Sequence, residues 1–326
     1  MKVDARSATI FSPPSDRIGD RQGYVLLIVI AASVLVVTVL SGLANQSLRR
    51  GLQAADAERT LQQRWGTRTI ERVFLTEASR LFDLREEAAK ELKLKTPPPP
   101  VVRTRIDLGG VAFDVLLGDE DAKVSLNAMY HRVGPESTAK AIGQVAGRPV
   151  QQSTRFLPAV RPMRIARENR VLRPNDDEED AEIVPDAFRS WGEVFDLAAL
   201  EKSLGNQAAL PAATKELTCW GTGQLNFGRA SDEAILAVTS SVVQDGAGRR
   251  LLQRYRDNPT ATLDMLLQTE VTNPRNRDQL KELLSETSTN FSIWIDAQSK
   301  TGRSIRTFTA MKRDDEGVIQ ESRFSF

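Results

Sequence analysis

The chain has 326 residues, with 44 basic and 43 acidic side chains and a formal net charge of +1. So even a balance argues against a nucleic-acid binder that works by neutralising phosphates. One cysteine, Cys219, and one histidine, His131, rule out an internal disulfide, a His-rich zinc site and a CxxC cluster, and any Ser-His-Asp triad would have to use His131.

Met1 to Gly23 contains Pro13-Pro14, several Ser and Asp and no apolar period, so it reads as a disordered leader. Tyr24 to Leu43 then carries no charge, and its only polar interruptions are Ser33, Thr38, Ser41 and Gly42. At ~1.5 Å per residue this run of about 20 residues crosses a hydrocarbon layer of ~30 Å as a helix. It is too long for the core of a cleaved secretory signal, and Ala44 with the polar Asn45-Gln46-Ser47 follows it in place of a small-x-small site. The expectation is a membrane helix retained in the mature protein. Lys2, Arg6, Arg17 and Arg21 precede it and Arg49, Arg50 and Arg59 follow, a slight lean towards a cytoplasmic N-terminus.

Beyond the span the helix is expected to continue. Ile70, Val73, Phe74, Leu81, Leu84 and Ala88 recur largely at helical spacing, while Glu71, Arg72, Arg80, Arg85 and Glu86 occupy other faces. Trp65-Gly66 predicts a bend, and Pro97 to Pro100 predicts an extended spacer. A helix with one apolar stripe needs a sheet to lie against. Val101 to Asp107, Gly109-Gly110 and Val111 to Leu117 read as a hairpin, with Val111, Phe113 and Val115 on one face. Asp119, Glu120 and Asp121 follow, as oxygen ligands for Ca²⁺ or as a solvated turn.

From Ala128 to about Glu286 the pattern is helical. The expected helices are Ser137–Ala146, Val194–Leu204, Asp232–Val243, Gly248–Tyr255, Ala261–Gln268 and Asn276–Leu284. Gln151 to Asp186 reads as a mobile excursion, and its acidic run Asp176 to Asp180 is either a cation attractor or a solvated loop. Phe291, Ile293 and Ile295 then alternate with polar or amphipathic neighbours. Turns at Lys300-Thr301-Gly302 and at Asp314 to Gly317 separate this strand from Ile305–Met311 and Val318–Phe326. Two strands before the helical block and three after it predict one antiparallel sheet interrupted by an insertion. His131 is expected to pack or lie at the surface, and Cys219 to be a buried apolar residue in a strand beside Trp220. Trp191, Trp220 and Trp294 are expected in the core or at a subunit contact. No phosphate loop, nucleophile elbow or metal signature is present, so the expectation is a protein that is not an enzyme.

Two sets of residues carry a resemblance. Arg21-Gln22-Gly23 followed by Tyr24 and an apolar run resembles the leader of type IV pilins and type II secretion pseudopilins, which a prepilin peptidase cuts after the glycine. The fifth residue from Tyr24 is Ile28, where most of that family has a glutamate. The minor pseudopilin K family of type II secretion also lacks it. Asp119-Glu120-Asp121-Ala122-Lys123-Val124-Ser125-Leu126-Asn127-Ala128-Met129 resembles that family's "D-E-x-G-K-(I/V)-N-L-N-A-L". Leu217-Thr218-Cys219-Trp220-Gly221-Thr222-Gly223-Gln224-Leu225-Asn226-Phe227-Gly228-Arg229-Ala230 resembles its "L-T-x-(W/Y)-G-x-G-x-(V/I)-N-(L/V)-N-x-A". Ala122, Ser125, Met129 and Gly228 depart from these patterns. So do the proline spacer and the long excursion, which places the chain on a divergent branch. In both segments Asn before a helix is expected to cap it, and Ser231 and Asp232, where the second helix begins, are themselves cap-competent.

The resemblance implies an α+β fold, in which a long N-terminal helix packs on an antiparallel sheet and a large helical domain is inserted between strands. It divides the chain into a leader (1–23), a transmembrane and periplasmic helix (24–96), first strands (101–121), an inserted helical domain (122–286) and closing strands (287–326). It implies an inner-membrane tip subunit of a secretion pseudopilus, with the bulk of the chain in the periplasm. Gly23 and Tyr24 would carry processing, and Ile28 would mark a subunit with nothing ahead of it. Its partners would be the other minor pseudopilins, the major pseudopilin, the prepilin peptidase and the membrane, with no nucleic acid. Members of the family can bind calcium in the helical domain, which the resemblance does not place on particular residues. The alternative is a single-pass envelope protein whose helical domain binds a ligand or a protein outside secretion.

Overall fold

The computed structural model describes residues 19–92, 97–161, 186–205, 209–221, 223–299, 304–314 and 317–325. The leader up to Ile18, most of the expected excursion with its acidic run, and the Lys300-Thr301-Gly302 turn lie outside these residues. The chain forms two compact units, residues 1–61 and 62–326. Helix α1 (Gly19–Thr76) opens in the first of them.

In the second unit, α1 ends at Thr76 and α2 (Ala78–Glu91) follows. Then come β1 (Val101–Leu108) and β2 (Val111–Asp119). Gly109 and Gly110 turn the hairpin with φ of +61° and +80°, values that glycine reaches without a Cβ penalty. After the helical block come β7 (Asn290–Ser299), β8 (Ser304–Asp314) and β9 (Gly317–Ser325). All five form one antiparallel sheet in the order β1-β2-β7-β8-β9, with Val115 opposite Ile295 and Ile295 opposite Thr307. The fold is α+β as expected, a long N-terminal helix on an antiparallel sheet with helices between its strands.

The sheet's alternating face, Val111, Phe113, Val115, Leu117, Phe291, Ile293 and Ile295, is buried against Ile70, Leu75, Ala78 and Phe82 of α1 and α2. The helix face that meets it differs from the expected stripe. Val73 and Leu84 are 55% and 50% exposed, and the buried set includes Gln63, Thr67 and Glu71. Glu71 accepts from the Thr309 hydroxyl (2.6 Å) and pairs with Arg323 (3.1 Å). Gln63 donates to the Ala297 carbonyl (3.1 Å). A count of apolar residues misses a face that also seats polar groups, because Gln63 and Glu71 meet hydrogen-bond partners that the sheet supplies.

α1 runs without a break through Trp65-Gly66. Gly66 has another reason, the ring of Phe113: a Cβ built there would stand 2.3 Å from Phe113 Cζ.

The helical block has its own core around Leu126, Met129, Ile142, Phe188, Phe195 and Leu217. It opens with β3 (Val124–Ser125), α3 (Leu126–Arg132), α4 (Pro135–Ala146) and α5 (Arg148–Gln152). There follow α6 (Trp191–Val194), α7 (Leu197–Leu204), α8 (Ala209–Ala213), β4 (Leu217–Thr218) and β5 (Leu225–Asn226). It closes with α9 (Asp232–Ser240), α10 (Asp245–Asp257), α11 (Leu263–Glu270), α12 (Pro274–Leu283) and β6 (Leu284–Ser285). The expected helix Val194–Leu204 is two helices, because Phe195 is extended and Asp196 accepts from the Ala199 N–H to start α7 afresh. Two short parallel pairs, β3 with β4 and β5 with β6, join segments far apart in sequence, so no alternation announces them.

Candidate functional site

The candidate site has two parts, one in each unit. The first is the span. Every residue from Tyr24 to Leu43 is exposed, Ile28 at 49%. Ser33 and Thr38 donate their hydroxyls to the carbonyls of Val29 (2.8 Å) and Val34 (2.7 Å), so the helix satisfies these polar groups internally, as a hydrocarbon environment demands. Among the described residues this is the one helix long and apolar enough to cross a membrane, with a mean hydropathy of 2.8 in its most apolar window. Gly23 lies within α1, four residues from its start, and Tyr24 is 68% exposed.

The second part is the joint where the chain leaves the sheet for the helical block and returns. Asp119 ends β2, Asp121 follows two residues later, and Asn290 begins β7. Asp119, Glu120 and Asp121 are 0%, 4% and 4% exposed, so the solvated turn is not what forms. Each carboxylate is taken by donors of this chain. Asp119 Oδ2 accepts from Arg229 Nη1 (3.0 Å), and its Oδ1 from the Asp121 N–H (3.1 Å). Glu120 pairs with Lys123 (2.7 Å) and accepts from the hydroxyls of Thr218 and Ser292. Asp121 accepts from the backbone N–H of Thr289 (2.8 Å) and Asn290 (3.0 Å) and from Asn290 Nδ2 (2.9 Å). Its carbonyl accepts from the Asn226 N–H (2.6 Å). The three therefore point to different partners, and among the described residues no group of three or more His, Cys, Asp or Glu is arranged for a metal ion. These acids pin the outgoing chain to the returning one.

Their electrostatics differ by partner. Burial raises Asp119 above its ordinary value, against the pull of hydrogen bonding and of Arg229. Burial works in the same direction on Glu120, but Lys123 and the hydrogen bonds around it hold this carboxylate below its ordinary value. Asp121, whose hydrogen bonds come from neutral groups, is pushed up to about 6 by burial, opposed by the Thr289 and Asn290 donors.

Arg229 closes the joint from outside. It reaches Asp119, Asp83 (2.5 Å) and Glu86 together, the last two on α2, and its guanidinium lies 5.7 Å from the centre of the Phe82 ring. Phe82 in turn stacks on Phe291 (5.9 Å). In the sequence Arg229 is only one basic residue between Asn226 and Ser231, a faint signal for this role.

Neither Asn caps a helix as expected. Ser125 caps α3, accepting from the Ala128 N–H, and Ser231 caps α9. Asn127 is buried inside α3, donating to the carbonyls of Phe188 (3.1 Å) and Cys219 (2.8 Å) and accepting from the Phe188 N–H (2.8 Å). Asn226 Oδ1 accepts from the N–H of Gly228 (2.9 Å) and Arg229 (3.2 Å), which holds the turn presenting Arg229. Cys219 lies just past β4 rather than in a strand. It is 4% exposed, and burial pushes its thiol up. His131 is buried at the edge of the Tyr130 ring (5.6 Å). Trp191 stacks on Phe195 (6.0 Å), and Trp220, Trp294 and Phe324 gather around Phe308 on the other face of the sheet.

No protein-family model matches the chain, and no curated relative matches its sequence. Among solved structures it is similar to a chain of the GspK-GspI-GspJ complex from the enterotoxigenic Escherichia coli type 2 secretion system. The two share 16% identity over 83% of this chain and 99% of that one, with a TM-score of 0.42.

Proposed function

We propose that this protein is a K-type minor pseudopilin, seated at the tip of a type II secretion pseudopilus and acting in assembly and initiation. One observation carries the reading: strands from both sides of the helical block form a single sheet, laid on the polar-and-apolar face of α1 and α2 that begins at Gln63. That is the order of elements the sequence resemblance implies, and it makes the helical block an insertion rather than a separate appendage. The span from Tyr24 to Leu43 would root the chain in the inner membrane among other pseudopilins, with the second unit in the periplasm. Ile28 leaves the head of the span without a carboxylate, in keeping with a subunit that has no terminal amine ahead of it to pair with. The block's bulk would stop further subunits from stacking above. The work is contact rather than catalysis.

The test is the mature N-terminus, read by mass spectrometry on protein from cells with an active prepilin peptidase. The expected start is Tyr24, and a start at Met1 overturns the reading in favour of a plain anchored envelope protein. Cross-linking to the other minor pseudopilins and to the major one is expected as well.

A further inference from the structure

The two edges of the five-stranded sheet differ. At β1, Arg85 Nη1 donates to the carbonyls of Pro99 (3.1 Å) and Val101 (2.9 Å), and Arg103 and Arg105 are exposed. Edge charges and a proline at the strand's approach are the usual means of keeping a foreign strand away. β9 is more open. Its nine residues, Gly317–Ser325, contain no proline, and among the described residues it pairs with β8 alone. Its Arg323 is turned towards the helix, onto Glu71 (3.1 Å). The same edge ends an aromatic row. Leu116, Trp294, Phe308 and Phe324 stand directly opposite one another across β2, β7, β8 and β9. Phe308 is buried with Trp220 against it (5.4 Å), whereas Phe324, last in the row, is 40% exposed.

We propose that β9 is a docking edge for an extended segment of a different protein, which adds one strand to the sheet and sets an apolar side chain beside Phe324. An edge selects its occupant more narrowly than an apolar face does. Its N–H and C=O groups alternate at strand spacing, and only another extended main chain answers that series; a lipid surface or a nucleic-acid backbone does not offer it. A second copy of this chain is disfavoured. Two β9 strands paired antiparallel over their full length would set Glu321, the middle residue of Gly317–Ser325, opposite the same glutamate. Like charges directly opposite weaken a strand pair. The complementary segment carries a basic residue opposite Glu321 and, three positions along, an apolar one opposite Phe324. The inference goes beyond the tip role, since β9 offers this edge whatever the chain's place in a fibre.

The experiment places a photo-cross-linking amino acid at Ser322 of the full-length protein in its own cells and sequences the captured peptide. The expected capture is one segment of another protein, with an apolar and a basic residue three positions apart. Phe324→Lys is expected to lower its yield about tenfold or more, and Phe324→Ser gives the same reading should the lysine variant fail to accumulate. A synthetic peptide of that segment, added to the full-length protein in detergent, is expected to slow hydrogen exchange about tenfold or more at every second amide of β9, because a strand bonds alternate residues of its neighbour. Capture of a second copy, of lipid or of a segment without that residue pair, the absence of any capture, a yield indifferent to Phe324, or exchange that does not slow at alternate amides would each overturn the proposal.

Discussion

The ring of Phe113 lies against the backbone of Gly66, so close that a Cβ on that glycine would stand 2.3 Å from Phe113 Cζ. Phe113 is fully buried. The contact brings the helix backbone close against the sheet. Gly66→Ala should therefore destabilise the protein, although alanine is the better helix former. The propensity gain of about 1 kcal/mol is outweighed by overpacking of about 1–3 kcal/mol. Urea unfolding of the full chain in detergent checks this, and Phe113→Leu in the same background should recover part of the loss.

Arg229→Met leaves Asp119, with no exposed surface, beside no cation. Breaking a buried pair from one side costs about 3–5 kcal/mol. We expect that scale of loss and faster proteolysis at the joint, with substantial recovery when Asp119→Asn is added. If Arg229→Met alone were neutral by urea unfolding, Arg229 would not be the clasp of the joint.

Asp121 gives the joint a pH dependence. Its folded value of about 6 lies above the ordinary 3.8. Between about pH 4 and 6 the folded chain holds a proton that the unfolded chain has released, so stability falls as pH rises through that window. The shift corresponds to a cost on the order of 3 kcal/mol at neutral pH. Asp121→Asn should remove this slope. Glu120 acts in the opposite sense, adding stability above its unfolded value and losing it as pH falls below about 4.5. The comparison of wild type with Asp121→Asn at pH 4 and 7 isolates the Asp121 contribution.

Asn127 spans two loops of the block through Phe188 and Cys219. Asn127→Ala leaves two carbonyls and one N–H buried without that partner, at about 1–3 kcal/mol for each group not rescued by water. Loss of protection at the Phe188 amide, followed by hydrogen exchange, is the direct readout.

Where the pattern was local it was legible. The run from Tyr24 to Leu43 needs no context, because an uncharged stretch of that length has few other uses. Gly109-Gly110 between alternating strands likewise announced its hairpin. The five-stranded sheet could be inferred because both halves carried the same period of two. The roles of Asp119, Glu120 and Asp121 could not be read this way, since three consecutive acids look alike whether solvated or buried.

What the chain determined by itself was the greasy segment, the amphipathic helix beyond it and the strands on either side of a helical block, all properties of neighbours a few residues apart. The tertiary structure alone decided that Gly66 makes room for a ring 47 positions away, that Glu71 belongs on a buried face and that Arg229 gathers carboxylates from α2 and β2. The physical reason is that desolvation and hydrogen bonding depend on which distant groups are brought within about 3 Å, and that distance is set by folding rather than by spacing along the sequence.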